Sequence, residues 1–464
     1  MLGVTGVVAL LLWWAVGKDP VPVAPTRSGM VFGFLRILYA DDLPPWAVIW
    51  AAVGSAAFLV ALVVVVEHQI TLRYRRSTGG RTTPLAPRIV MAETRGRFLG
   101  EVTVTVVVPA HNEALTLGAT LRSLWAQSHA PARVVVVADN CTDGTEDVAR
   151  SNGAEVIVSV ENIHKKGGAL NQALTQVLPA QGENDVVMVM DADTVLRPGF
   201  LEHAVMRFRS DRAVMAVGGV FYGERGHGIL GAFQRNEYVR YGREIKRRRG
   251  QVFVLTGTAS LFRPRALRAV AEARGVSIPG RPGDIYDVAS LTEDNELTIA
   301  LKSLGALLVS PSDCQVETEL MPTWRALWNQ RLRWQRGALE NIGAYGVRPA
   351  TVRYWAQQLG IGYGVFALIS YLILLAIMAL AIDHWVWFPF WLALGVVFMI
   401  ERVQTAWASG WTGRILALLI FPELGYDVFI QMVFVKGVFD MSLAREATWK
   451  HLSRTDVALS DGVE

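Results

Sequence analysis

The sequence predicts an α/β domain set between two blocks of apolar membrane helices. Three observations predict it. Residues 101–320 alternate Val-rich runs with amphipathic stretches, residues 46–66 and those beyond 357 form bilayer-length apolar runs, and the 464-residue chain is 52% hydrophobic and 19% charged. A mean hydropathy of +0.31 suits a chain that is partly aqueous and partly in lipid. A formal net charge of +4 supplies no concentrated basic face, so a nucleic-acid partner is not expected. Two cysteines, Cys141 and Cys314, exclude a disulfide framework and suit a reducing cytoplasmic face.

From the N-terminus, residues 2–17 and 46–66 read as two spans; crossing a bilayer takes about 20 apolar residues. The first lacks a basic start and an A-x-A-like site, so it is read as uncleaved. A linker over 71–100 follows, carrying Arg73, Arg75, Arg76, Arg81, Arg88, Arg95 and Arg97 against Glu93. Lys/Arg excess marks the cytoplasmic side of a membrane.

Within 101–320, strands are expected at 103–109, 133–139, 155–160, 185–193 and 213–219. Helices are expected at 113–126, 143–151, 167–178 and 198–209. Near-continuous Val/Ile/Met runs are what parallel strands covered on both faces look like. Alternation with helices makes a doubly wound sheet, whose ligands bind outside the carboxyl ends of the strands. Three such ends are rich in polar residues: Pro109-Ala110-His111-Asn112-Glu113, Asp139-Asn140-Cys141-Thr142-Asp143-Gly144 and Asp191-Ala192-Asp193. No GxGxxG or GxxxxGK[ST] follows the first strand, which disfavours a dehydrogenase and a P-loop NTPase.

Asp191 and Asp193 at a strand end suit a hard divalent ion bridging substrate phosphates, although acidic pairs in turns are commonly only solvated. Asp139 suits a base imide or sugar hydroxyl; an Asx-turn or helix cap is its rival reading. Lys166, opening Lys-Gly-Gly, suits a phosphate, or simply solvent. Asp294 precedes an apparent helix, where it serves either as a proton acceptor or as a charge favourable to the helix dipole. Residues 321–350 read as amphipathic interface helices: Trp324, Trp328 and Trp334 with Arg325, Arg331, Arg333 and Arg336 suit a membrane surface, and a Trp also offers a flat platform for a sugar ring. Beyond them, 351–441 reads as a second membrane region. A hairpin of spans, 359–382 and 384–400, turns at Asp383-His384, and 413–438 is interrupted by Pro422 and Glu423 and carries Asp427. Charges in a span face a cavity or protein, so this last stretch is a channel-facing span or a re-entrant segment. A tail over 442–464 follows.

In order, PAHNE (109–113), ADNCTDGT (138–145), KGGALN (166–171), DAD (191–193), GTASLFR (257–263), TED (292–294) and QRLRW (330–334) resemble the motifs of family 2 glycosyltransferases of the membrane-integrated polysaccharide synthase type. Cellulose, chitin, hyaluronan and poly-N-acetylglucosamine synthases are familiar members. The resemblance implies a GT-A (Rossmann-like) cytoplasmic domain beside an α-helical transmembrane bundle, and a nucleotide-sugar donor, UDP-linked. It implies a polysaccharide or lipid acceptor, contact with membrane lipid, and accessory export proteins as partners. It assigns Asp294 as the catalytic base and Asp193 to a Mg2+ or Mn2+ ion. Pro109, Glu113, Asp139, Lys166, Asp191, Gln330 and Arg333 fall to the donor, and Thr258, Glu293 and Trp334 to the acceptor. Processive polymerisation is the first expectation. Single addition to a lipid or saccharide is the second, and a non-enzymatic nucleotide-binding scaffold is the third.

Overall fold

The computed structural model describes residues 27–31, 35–39, 46–75, 79–80, 82–94, 100–381, 389–443 and 445. The stretch 2–17, linker residues Arg76, Arg81, Arg95 and Arg97, the Asp383-His384 turn and the tail from 446 lie outside them. The chain divides into two compact units, residues 1–73 with 360–402, and residues 74–359 with 403–464.

In the first unit, strands β1 (Arg27–Val31) and β2 (Leu35–Tyr39) pair antiparallel. The stretch 46–66 lies within one 30-residue helix, Trp46–Arg75. The run expected at 359–382 belongs to the helix Val352–Ala381, whose segment Val352–Ile377 is long and apolar enough to cross a membrane. The next helix is Pro389–Thr405, where 384–400 was expected.

The second unit is built on a seven-stranded sheet. In chain order its strands are β3 (Thr103–Ala110), β4 (Arg133–Ala138), β5 (Glu155–Val158), β6 (Asp185–Met190), then β8 (Val214–Gly218), β10 (Ala259–Phe262) and β11 (Leu307–Val309). They lie side by side as β11-β8-β10-β6-β3-β4-β5. A small second sheet, β7 (Val195–Leu196), β12 (Gln315–Thr318) and β9 (Val220–Gly223), flanks it. The period-2 alternation of a strand decides which face each side chain meets. Val104, Val106, Val108, Val134, Val136 and Met188 pack with the helices Leu117–Trp125 and Phe200–Ser210. Val107, Val137, Val187 and Val189 pack with Lys165–Val177, Pro264–Ala273 and Glu293–Ser303 on the other face. Both faces are covered, as the Val runs predict.

The sheet is mixed rather than doubly wound parallel throughout: β10 runs antiparallel to both β6 and β8. Its four residues, Ala-Ser-Leu-Phe, are too short a run to announce a strand.

The apolar stretch 413–438 is two helices, Gly410–Leu419 and Phe421–Ser442, bent by 90° at Ile420. Ile420 has φ +57°, which ends the first helix, and Pro422 in the first turn of the second suits a helix start. Glu423 is buried and faces protein: Arg240 Nη2 donates to its Oε2 at 2.6 Å and Oε1 at 2.8 Å, and Asn236 Nδ2 to Oε1 at 2.8 Å. Residues expected to lie on a membrane surface form a single helix, Trp324–Tyr345, whose Arg331, Gly337, Asn341 and Tyr345 are buried.

One buried ion pair fixes the Glu293–Ser303 helix. Arg274 is 0% exposed and pairs bidentately with Glu296 at 2.5 and 2.6 Å, while Tyr345 Oη donates to Glu296 at 2.5 Å. Removing one partner strands a buried charge, at a cost of roughly 3–5 kcal/mol. Glu296→Gln is therefore expected to lower the melting midpoint of the detergent-solubilised chain by many degrees. Arg274→Met with Glu296→Leu should recover much of the loss; a double variant no better than the single one would refute the pairing.

Candidate active site

The parallel register places the strand ends side by side. Pro109 pairs with Val137 and Ala110 with Ala138, and Asp139 N donates to Ala110 O at 2.8 Å. Antiparallel β10 then delivers its leading residues to the end of β6, where Asp191 N donates to Thr258 O at 3.2 Å. The Glu293–Ser303 helix brings its first turn to the same place: Gly257 N donates to Asp294 Oδ2 at 3.0 Å, and Asn295 N to Oδ1 at 2.7 Å.

Lys166 joins these elements. Its Nζ lies 2.7 Å from Asp191 Oδ1 and 2.7 Å from Glu293 Oε1. A Cβ on Gly257 would lie 3.1 Å from Lys166 Nζ, 3.5 Å from Asp191 Oδ2 and 3.6 Å from Asp294 Oδ2. The glycine therefore keeps open a small space ringed by one cation and three carboxylates. Glu293 and Asp294, adjacent at the helix start, both line this cavity, with Tyr286 and Thr256.

Burial opposes the charge of Lys166, but Asp191 and Glu293 hold it well above its ordinary range. Burial also opposes the charge of Glu293, while Lys166 and, more weakly, Arg333 keep it below the usual carboxylate range. Burial, and then the neighbouring Glu293 charge, push Asp294 up to about 6. Two adjacent acids are thus driven apart, one held ionised and the other titrating near neutrality.

Asp193 stands next to this group. Burial, and then the charges of Asp191, Glu113 and Glu319, push it up to about 7. An all-oxygen set whose members repel each other suits a hard divalent cation. Among the described residues no three His, Cys, Asp or Glu side chains converge closely enough to cage an ion alone.

At the far end, Asp139 is buried, and its Oδ1 accepts from Ser159 Oγ at 2.7 Å, Asn162 Nδ2 at 2.8 Å and Asn140 Nδ2 at 3.2 Å. The Asx-turn belongs to Asp143, whose Oδ1 accepts from Thr145 N at 3.0 Å and Oδ2 from Ala114 N at 3.1 Å. Asn112 and Asn140 sit at φ +57° and +50°, folding both loops back over the strand ends. Glu113 accepts from Thr116 Oγ1 at 2.7 Å.

In the QRLRW segment, Arg333 lies within electrostatic reach of Glu293 and of Lys165. Gln330 Oε1 accepts from Arg331 Nη1 at 2.6 Å, a bond inside its own helix. Arg331 stacks 4.3 Å from the Trp334 ring centroid, so one face of that ring is covered. Its Nη2 donates to Glu237 Oε2 at 3.0 Å, which also takes Tyr426 Oη at 2.6 Å. Sequence reasoning read Arg331 as a surface cation and passed over Glu237 and Tyr238. The only signal for these two is the aromatic spacing of the helix Gly228–Arg247, whose Tyr238 meets the charges of Arg331 and Asp193.

The Glu293–Ser303 helix and the QRLRW helix touch at Thr292. Asn341 Nδ2 donates to Thr292 O at 3.2 Å and Oγ1 at 3.1 Å, and a Cβ on Gly337 would lie 2.5 Å from Thr292 Oγ1. Gly337→Ala gains about 0.5–1 kcal/mol of helix propensity but meets an overpacking cost of about 1–3 kcal/mol. The clash should win and displace the first turn that carries Asp294. Turnover is expected to fall on the order of tenfold or more with donor affinity kept; unchanged turnover would show that the contact has slack.

A model of the family described as "Glycosyltransferase like family 2" matches residues 102–337. A poly-beta-1,6-N-acetyl-D-glucosamine synthase of Staphylococcus aureus is 25% identical over 243 residues, 51% of this chain and 55% of that protein. The probable glycosyltransferase YdaM of Bacillus subtilis is 29% identical over 248 residues, 50% of this chain and 54% of its own. This chain thus spans about half the length of the curated relatives it matches. A solved mannosyltransferase of Pyrobaculum calidifontis, in complex with GDP-Man and Mn2+, shares the fold with a TM-score of 0.50 at 19% identity, covering 74% of this chain and 89% of that one. The described fold is of the same GT-A-like α/β kind, and the family match takes in every strand of the large sheet and the whole carboxylate cluster. The chain belongs to glycosyltransferase-like family 2.

Proposed function

We propose that the chain is a membrane-integrated glycosyltransferase that passes a sugar from a nucleotide-sugar donor, UDP-linked, to a growing polysaccharide, with inversion at the anomeric carbon. The observation that carries this reading is the ring of Lys166, Asp191, Glu293 and Asp294 around Gly257. It supplies one carboxyl titrating near neutrality and two carboxylates paired with a cation.

In this reading Asp139 receives the nucleotide base through its second carboxylate oxygen, with Pro109 and Glu113 forming the floor beneath the nucleotide. Lys166 orients Asp191 toward the donor, and Arg333 and Gln330 attend the diphosphate. Thr258, Glu293 and Trp334 line the acceptor side. Asp294 takes the proton of an acceptor hydroxyl as that oxygen bonds to the anomeric carbon; the bond from that carbon to the diphosphate oxygen breaks, and the nucleoside diphosphate leaves with the electron pair. Asp193 would hold the divalent ion, which when bound neutralises negative charge on the departing diphosphate.

The segment Val352–Ile377 supports membrane integration, and the bent pair beside Glu423 suits a re-entrant arrangement. The domain boundaries set out above, with residues 70–350 cytoplasmic and the product exported across the membrane region, belong to the same proposal. The synthase name of the Staphylococcus aureus relative supports polymerisation. Nucleoside diphosphate release across a donor panel, with product length read by mass spectrometry, tests it. A ladder of products supports processive synthesis, one added sugar selects single transfer, and no release with any donor overturns the enzymatic reading. Single cysteines at Arg88 or Gly144, in a chain lacking Cys141, should resist labelling from outside intact cells.

A further inference from the structure

The run Lys246-Arg247-Arg248-Arg249-Gly250 lies at the end of the helix Gly228–Arg247, and Arg353 lies in the first turn of the helix Val352–Ala381. They are remote in sequence, but the fold brings them together on one aromatic ring. Arg248 Cζ lies 4.8 Å from the Phe253 centroid, Arg353 Cζ 5.3 Å and Lys302 Nζ 5.9 Å. Lys302 faces inward, donating to Phe253 O at 3.2 Å and to Tyr354 Oη at 2.8 Å. Lys246, Arg247 and Arg249, the other cations of the run, are exposed, Lys246 and Arg247 on the last helical turn and Arg249 just beyond. Arg248 also pairs with Glu244 at 2.7 Å.

Like charges do not gather without cost. Burial, and then the charges of Arg353 and Arg248, bring the Lys302 ammonium down to about 7. The cluster stands at the start of a helix whose segment Val352–Ile377 is, among the described residues, long and apolar enough to cross a membrane. Basic clusters at that position meet the phosphates of anionic lipids, at about 1 kcal/mol per cation. Lys302 lies eight residues beyond Asp294 on the same helix, about 12 Å away at the helical rise, so this is not the carboxylate cluster.

We propose that Arg248 and Arg353, seated on Phe253, together with the exposed Lys246, Arg247 and Arg249 of the same run, bind the phosphate of an anionic phospholipid headgroup at the cytoplasmic end of the Val352–Ala381 helix. The proposal rests on the membrane reading above. It places a lipid-responsive surface on the far end of the helix that carries the base.

The test uses the full chain in non-ionic detergent, with melting followed as phosphatidylglycerol or phosphatidylcholine is added. Phosphatidylglycerol should raise the midpoint saturably and phosphatidylcholine should not. The surface variant Lys246→Gln, Arg247→Gln, Arg249→Gln should keep the basal midpoint while its apparent affinity for phosphatidylglycerol falls on the order of 100-fold. Inorganic phosphate and glycerol phosphate should not reproduce the shift; if they do, the ligand is a soluble anion and the proposal is overturned. An unchanged response in the variant overturns it equally. Extraction by alkaline carbonate from phosphatidylcholine vesicles separates the two readings. Release into the wash defeats membrane integration and this proposal together. Retention with no phosphatidylglycerol effect defeats this proposal alone.

Discussion

Asp193→Asn is expected to remove nearly all transfer activity while leaving the fold as stable as before, or more stable, in the absence of metal. The reason is the company Asp193 keeps. Burial and the charges of Asp191, Glu113 and Glu319 push it up to about 7 from an ordinary 3.8, so its ionised form is unwelcome in the folded chain unless a cation answers it. The sign follows from linkage. A carboxyl whose folded value is raised contributes stability that is fully present below its unfolded value and is lost as pH rises through about 7. In EDTA at pH 8 the wild-type midpoint should therefore equal or fall below that of Asp193→Asn, and the gap should close toward acid pH. Activity should move the other way. An amide is a far poorer ligand for a hard cation, and loss of one electrostatic stabiliser of a charged transition state costs about 10²–10³ in rate. Chelation of the wild type should match the mutation. Full turnover in excess EDTA would remove the metal from the reaction, and a variant that is both inactive and markedly less stable would make Asp193 a structural residue.

The parts of this site legible in the sequence are those where a strand ends. The Val runs of β3, β4 and β6 announce themselves because both faces of the sheet are covered, and the residues that follow them must be polar or part of a site. Asp139, Asp191 and Asp193 were found in that way. The strand β10 was seen only as a motif, because four residues carry no periodicity, yet its reversal is what sets Gly257 against Asp294. The bridge of Lys166 to Asp191 and Glu293 joins three separate segments, and no local pattern encodes such a contact. Arg331 illustrates the reverse error: among four arginines on one helix it reads as a membrane-surface cation, but it is 6% exposed and bound to Glu237. The break at Ile420 was legible through Pro422 and Glu423, whereas the partners of Glu423 lie on a distant helix. The sequence offers an Asx-turn only as the rival reading of Asp139, whereas the hydrogen bonds give the turn to Asp143.

Asp294→Asn should bind the nucleotide donor with near-normal affinity and transfer sugar some 10²–10⁴-fold more slowly, the usual contribution of a general base. The case for Asp294 rests on its neighbours as much as on itself. Asp191 and Glu293 each lie 2.7 Å from Lys166 Nζ, and a carboxylate paired with a cation is a poor base. Glu293, adjacent in sequence, is therefore set aside by its ion pair rather than by its direction. In the proposed reading Asp193 holds the ion, and Asp139, whose Oδ1 accepts from three donors, serves the nucleotide. Asp294 accepts from the two backbone N–H groups of Gly257 and Asn295, and it titrates at about 6. Wild-type kcat should thus fall as pH drops through about 6, where the base becomes protonated, and that limb should be absent from the variant. The amide brings its own difficulty. Its NH2 end would face a backbone N–H, an unmet donor worth about 1–3 kcal/mol, so a modest fall in melting midpoint accompanies the loss of rate. Calorimetry of donor binding, turnover and melting on the same preparation separate the possibilities. Near-wild-type turnover ends the base assignment. Loss of donor binding together with a large loss of stability means that Asp294 serves the helix start, which its bond to Asn295 N already allows. Retained binding with a collapsed rate and no acid limb leaves proton abstraction as the role the geometry supports.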